Sequence, residues 1–169
     1  MITDIDNSWK RDSDGLGVWE HRGKVAIAGF GHSPVDRRWD EVNLETTLGA
    51  YSLLACKQAV EDAGMSLDEI DGVVCCPTTI SGDSGGSASN WAPRPYFDPP
   101  YDTEWGLTRV NAQWLIDNLG LKNVKFAPSA APTISEMVGL ASQAVGDGLC
   151  NNCLMIYPTG NMAGRYRRG

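Results

Sequence analysis

The chain has 169 residues, a mass of 18.3 kDa and a formal charge of −7, from 14 lysines and arginines against 21 aspartates and glutamates. That length suffices for one self-supporting domain without a disulfide or metal staple, and the acidic surface repels phosphate backbones, against a nucleic-acid partner. No apolar run approaches the roughly 18 residues that cross a bilayer, and the polar start MITDIDNSWKRDSDG lacks the apolar core of a secretion signal; the expectation is a cytoplasmic protein with no membrane partner.

Residues 1–23 read as a polar extension with Trp9 and Trp19 as isolated anchors that pack loosely. The run KVAIAG at 24–29 is apolar and ends in glycine, which predicts a buried strand. A charged, turn-rich loop follows to Asp40. Leu44, Leu48, Tyr51, Leu54, Ala55, Ala59 and Ala63 recur at helical spacing, so 44–63 reads as a helix closed by Gly64. Ser66–Glu69 is a capping-type turn, and IDGVVCC at 70–76 is a second buried strand. A loop insertion then spans 77–104, with a Gly/Ser run at 81–89 and the aromatic, proline-rich stretch WAPRPYFDPPY. A connection this long in a small domain points to function or to a covered partner.

Trp105–Leu119 reads as a helix, with Leu107, Val110, Trp114, Leu115 and Leu119 on one side and Gly120 at its end. Val124–Ala127 is a third strand, Pro132–Gly148 a helix with proline in its first turn, and Cys153–Tyr157 a fourth strand. Strands apolar on both faces, alternating with helices, predict an α/β fold: a mostly parallel sheet flanked by helices.

Few motifs carry chemistry on their own. The cysteines are Cys56, Cys75, Cys76, Cys150 and Cys153, an odd number that suits a reducing compartment. Cys150-Asn-Asn-Cys153 lacks a second ligand pair for zinc and does not open a helix as a redox motif does, so buried apolar thiols are the plainer reading. Gly29-Phe30-Gly31 misses the third glycine of a dinucleotide fingerprint, which falls on Pro34. Neither a GxxxxGK[ST] phosphate loop nor a GxSxG elbow occurs. His32 follows the first expected strand, on the edge where α/β sheets bind ligands, and is a candidate on that ground. The Gly/Ser run offers backbone N–H groups to an anion but no following cation. Arg165, Arg167 and Arg168 make the one dense basic cluster, either a solvated tail or a phosphate contact for a nucleotide-like cofactor.

KVAIAGFGHSPVD, ACKQAVEDAGMSLDEIDGVV, the helix end ASQAVGDG at 141–148 and the stretch Leu154–Met162 together resemble the thiolase superfamily, in particular its branch of thiolase-like lipid-transfer proteins and steroid side-chain aldolases. The resemblance covers nearly all of 24–169 and implies a thiolase-like layered fold, of which this chain matches only the first of two repeated halves. Family spacing back from Gly148 puts the nucleophilic cysteine's position at Ala131, in Ser129-Ala130-Ala131-Pro132-Thr133. Alanine cannot form an acyl-enzyme. Ser129 and Thr133 are neighbouring hydroxyls without a base evident in the sequence. The aldolases of this branch lack the cysteine, so the resemblance implies a carbon–carbon lyase that cleaves a β-hydroxyacyl-CoA, a steroid side chain among its substrates. It also implies an oxyanion site at the helix N-terminus, coenzyme A thioester as substrate with Arg165 and Arg167 as its phosphate contacts, no metal, a homodimer, a small OB-fold partner chain, and acid/base tyrosines in the second half. An acyltransferase using another cysteine, and a non-catalytic acyl-CoA-binding subunit, are the alternatives.

Overall fold

The computed structural model describes residues 19–35, 44–76, 78–79, 109–128 and 133–158. The loop insertion beyond Thr79, with its Gly/Ser run and aromatic stretch, therefore lies outside the described residues, as do Ser129, Ala131 and the C-terminal arginines.

Among the described residues four short strands form: β1 (Gly72–Cys75), β2 (Thr78–Thr79), β3 (Arg109–Val110) and β4 (Cys153–Ile156). β1 and β4 pair in parallel, Gly72 with Cys153 through Cys75 with Ile156, while β2 and β3 pair antiparallel. Three α-helices accompany them: α1 (Leu48–Asp62), α2 (Ala112–Leu119) and α3 (Ile134–Gly146).

The alternation along β1 and β4 decides the layering. Val73, Cys75 and Leu154 join Leu48, Cys56 and Val60 of α1 and Leu115 and Leu119 of α2 in one core. Val74 and Cys76 join Met137 and Ala141 of α3 in a second, with Cys153 and Met155 packed against it. The parallel pair is thus sandwiched, α1 and α2 on one face and α3 on the other, as an α/β arrangement requires of strands buried on both sides.

Helix termini follow the side chains at them. Thr47, Asn111 and Thr133 each accept a backbone N–H of their own first turn. Gly64, Gly120 and Gly148 carry positive φ just past the three helices, where their lack of a Cβ is needed. Ser66 and Glu69 form the expected capping box.

Four expectations are corrected. Residues 24–29 form no strand: Ile27 is 78% and Phe30 71% exposed. The segment instead crosses α1, where Phe30 N–H donates to Asp62 (2.9 Å) and His32 N–H to Gln58 (3.3 Å). Gly29 and Gly31 allow the close approach, because a Cβ on either would collide with the backbone of Ala59 and Ala63, or of Ala55 and Ala59. The glycine pair that resembles part of a dinucleotide loop is therefore a packing device. The α1 stripe also shifts: Leu48, Ser52, Cys56 and Val60 face the core, while Leu54 is exposed. The helix expected from Trp105 begins at Ala112, because Arg109–Val110 pairs with β2 and Asn111 caps the helix. Residues 124–127 supply a single parallel bridge, Gly72 with Phe126, rather than a strand.

The buried carboxylate of Asp71 ties these pieces together. Its Oδ1 accepts the N–H groups of Asn151 and Asn152, both at 2.8 Å, and its Oδ2 accepts Asn151 Nδ2 at 3.1 Å and Lys125 Nζ at 3.4 Å. Its own carbonyl accepts the N–H groups of Lys125 and Phe126. Burial opposes the charge on Asp71, but the Asn152 and Asn151 N–H groups and Lys125 outweigh it and hold the carboxyl below its ordinary range.

Two outcomes follow. Gly31→Ala should destabilise the fold by about 1–3 kcal/mol in urea unfolding, with Ala28→Gly as a control of less than about 1 kcal/mol; equal effects would contradict the packing role. Asp71→Ala should cost about 3 kcal/mol, through orphaned N–H groups. Because its folded value is depressed, Asp71 stabilises above the unfolded range near pH 4 and loses that contribution as pH falls. Asp71→Asn should therefore flatten the acid limb of the stability profile; an unchanged limb would contradict the clamp.

Candidate functional site

In an open parallel sheet, ligands meet the carboxyl ends of the strands. Here that edge holds Cys76 after β1, Tyr157 and Pro158 after β4, and the first turn of α3. Cys76 packs in the same cluster as Met137. Its thiol is pushed up by burial and, secondarily, by the carboxylate of Glu136, which places the start of α3 beside the end of β1.

Thr133 caps α3 by accepting Glu136 N–H at 3.2 Å. Its own hydroxyl donates to Glu136 Oε2 at 2.7 Å, and Ser135 Oγ lies 3.1 Å from the same oxygen of Thr133. This reciprocal cap follows from the Thr-x-x-Glu spacing. It also brings a carboxylate into contact with a candidate hydroxyl. Glu136 is exposed at this edge.

Of the sequence candidates, Ser129, Ala131, Arg165 and Arg167 lie outside the described residues, and Thr133 stands at this edge. His32 is not brought to it: His32 is exposed on the flank of α1, with Nδ1 3.0 Å from Ser33 O and its ring 5.9 Å from that of Phe30.

None of the five cysteines is in a disulfide, and Cys153 alone is not fully buried. Burial pushes the Cys56 and Cys75 thiols up to about 12. Burial also raises Cys76, Cys150 and Cys153, with Asp71 adding its charge at the last two. No thiol is in the electropositive setting that activates a nucleophile.

The extension is held more specifically than expected. Trp19 Nε1 donates to Gln143 Oε1 at 2.8 Å, and His21 Nε2 lies 2.8 Å from Asp147 Oδ1 and 3.4 Å from Glu20 Oε1. Gln143 Nε2 donates to both oxygens of Asp147, and the His21 ring packs over Gly146, where a Cβ would collide with it. Both partners of Nε2 are carboxylates, which accept, so Nε2 carries the proton. Nδ1 is buried without a hydrogen-bond partner among the described residues. Glu20, His21 and Asp147, whose ligand atoms lie within 4.8 Å of one another, tie residues 19–21 to the C-terminal turn of α3.

None of the described helices is long and apolar enough to cross a membrane. The chain matched no family model, no curated protein and no solved structure.

In native protein at neutral pH, Cys56 and Cys75 should alkylate on the order of 1000-fold more slowly than free cysteine, as their thiolate fraction falls tenfold per unit of elevation. Labelling at the free-cysteine rate would contradict their burial in the α1–β1 core.

Proposed function

We propose that the chain is the first half of a thiolase-like carbon–carbon lyase acting on a β-hydroxyacyl-CoA, with its chemistry at the carboxyl edge of β1 and β4. The observation that carries the reading is the hydrogen bond between Thr133 and Glu136 at the start of α3, beside the end of β1. The resemblance of 24–169 to thiolase-like aldolases, with alanine at 131, supports it. So does the sandwich of a parallel pair between helices.

Retro-aldol cleavage needs a base for the β-hydroxyl proton and dipoles for the enolate that forms as the Cα–Cβ bond breaks. Glu136 takes the proton, directly or through Thr133. The first turn of α3 presents its positive dipole end to the thioester oxygen. Alanine at 131, where the resemblance puts the thiolase cysteine, brings no sulfur to the reaction. Arg165 and Arg167 serve the coenzyme A phosphates, and a homodimer with an OB-fold partner chain belongs to the same reading. The elevated thiols weigh against the acyltransferase alternative, which needs a reactive cysteine.

Incubation of the full chain, alone and with a candidate partner chain, with a branched β-hydroxyacyl-CoA should release a shorter acyl-CoA and a ketone or aldehyde, detected by mass spectrometry. Glu136→Gln should lower kcat by about 100-fold with KM little changed. Binding of the ester without cleavage would overturn the lyase in favour of an acyl-CoA-binding subunit.

A further inference from the structure

The opposite, amino edge of the parallel pair holds the two thiols of the Cys150–Cys153 turn, which the proposed reaction does not use. They are brought together over Gly72. A Cβ at Gly72 would stand 2.6 Å from Cys150 Sγ and 3.2 Å from Cys153 Sγ, so both sulfurs lie against the same backbone atom. The turn between them is fixed by Asp71, which accepts both intervening N–H groups at 2.8 Å. Cys150 is buried, whereas Cys153 is half-buried.

We propose that Cys150 and Cys153 form an oxidant-reactive dithiol, a modification site at the amino edge that closes to an intrachain disulfide in the presence of a hydroperoxide. One sulfur attacks the terminal peroxide oxygen; the O–O bond breaks, a sulfenic acid forms, and an alcohol or water leaves. The second sulfur attacks the sulfenic sulfur; the S–S bond forms, the S–O bond breaks, and water leaves with the second thiol's proton. The sulfurs lose two electrons and the peroxide gains them.

Geometry selects this pair over the others. Cys75 and Cys76 are consecutive on one strand and enter opposite cores. Cys56 and Cys75 are neighbours, but both are 2% exposed, and Cys75 directs its thiol to Val110 O at 3.7 Å. The N–H groups that activate the thiolate in redox CxxC turns are here bound to Asp71, whose charge also opposes ionisation of both thiols. The dithiol is therefore slow at neutral pH and faster as pH rises, because the thiolate attacks.

The full chain is treated with hydrogen peroxide in slight excess, denatured, alkylated and mapped by mass spectrometry. The expected product is one cross-link, Cys150 to Cys153, lighter by two hydrogens and reversed by dithiothreitol, with the other three of the five cysteines alkylated. Its rate should climb about tenfold per pH unit between pH 6 and 8. Cys150→Ser and Cys153→Ser should each abolish it and leave a dimedone-reactive sulfenic acid on the remaining partner. Five alkylated cysteines, a Cys56–Cys75 bridge, or an interchain bridge would overturn the proposal, and the map of the unsubstituted chain decides this even if the variants do not fold. The outcome is independent of the lyase assay, since the dithiol and Glu136 sit at opposite ends of the strands.

Discussion

A buried carboxylate that must stay charged is a costly feature, tolerated only where every lone pair is engaged. Asp71 meets that condition by drawing three separate stretches of chain to one point: the start of β1, the bridge at Phe126, and the turn that opens β4. Much of the register depends on it. Once Asn151 and Asn152 are fixed on Oδ1, Cys153 falls opposite Gly72 and the parallel ladder continues to Cys75 and Ile156. Gly72 must be glycine because the sulfurs of Cys150 and Cys153 fill the space a side chain would take.

The clamp gives the two ends of the sheet different characters. At the amino end, charge, backbone donors and thiols saturate one another, and what chemistry remains is slow and belongs to sulfur. At the carboxyl end the strands finish and the chain departs, leaving the first turn of α3 with a carboxylate on a hydroxyl. The elevated thiols and the exposed Glu136 are why the proposed function assigns the acid–base role at this edge to oxygen and not to sulfur.

Signals local to the sequence were the ones that could be read. The apolar runs at 70–76 and 153–157 hold β1 and β4, and the glycines at 64, 120 and 148 do end helices. KVAIAG misled because an apolar run ending in glycine suits a strand and a helix-packed segment equally; the deciding contact, Gly29 and Gly31 on the alanines of α1, spans about thirty residues. Trp105 onward misled because β3 and the Asn111 cap interrupt a helical pattern that is otherwise sound. The pair His21–Asp147 is separated by 126 positions and Asp71–Asn152 by 81, distances at which periodicity carries no information. Glu136 was the exception: the Thr-x-x-Glu spacing was visible in the sequence, and reading it as a cap would have revealed the carboxylate beside Thr133.

In the proposed function, ligands meet the carboxyl edge of β1 and β4, while the amino edge is a closed clamp. Hydrogen–deuterium exchange of the full chain, with and without a saturating acyl-CoA, tests it most directly. Added protection is expected in peptides covering Cys76 and Thr133–Glu136, and none at Asp71–Gly72 or Asn151–Asn152, whose N–H groups are already hydrogen-bonded. Protection gained at the Asp71 end, or no change at the start of α3, would contradict it.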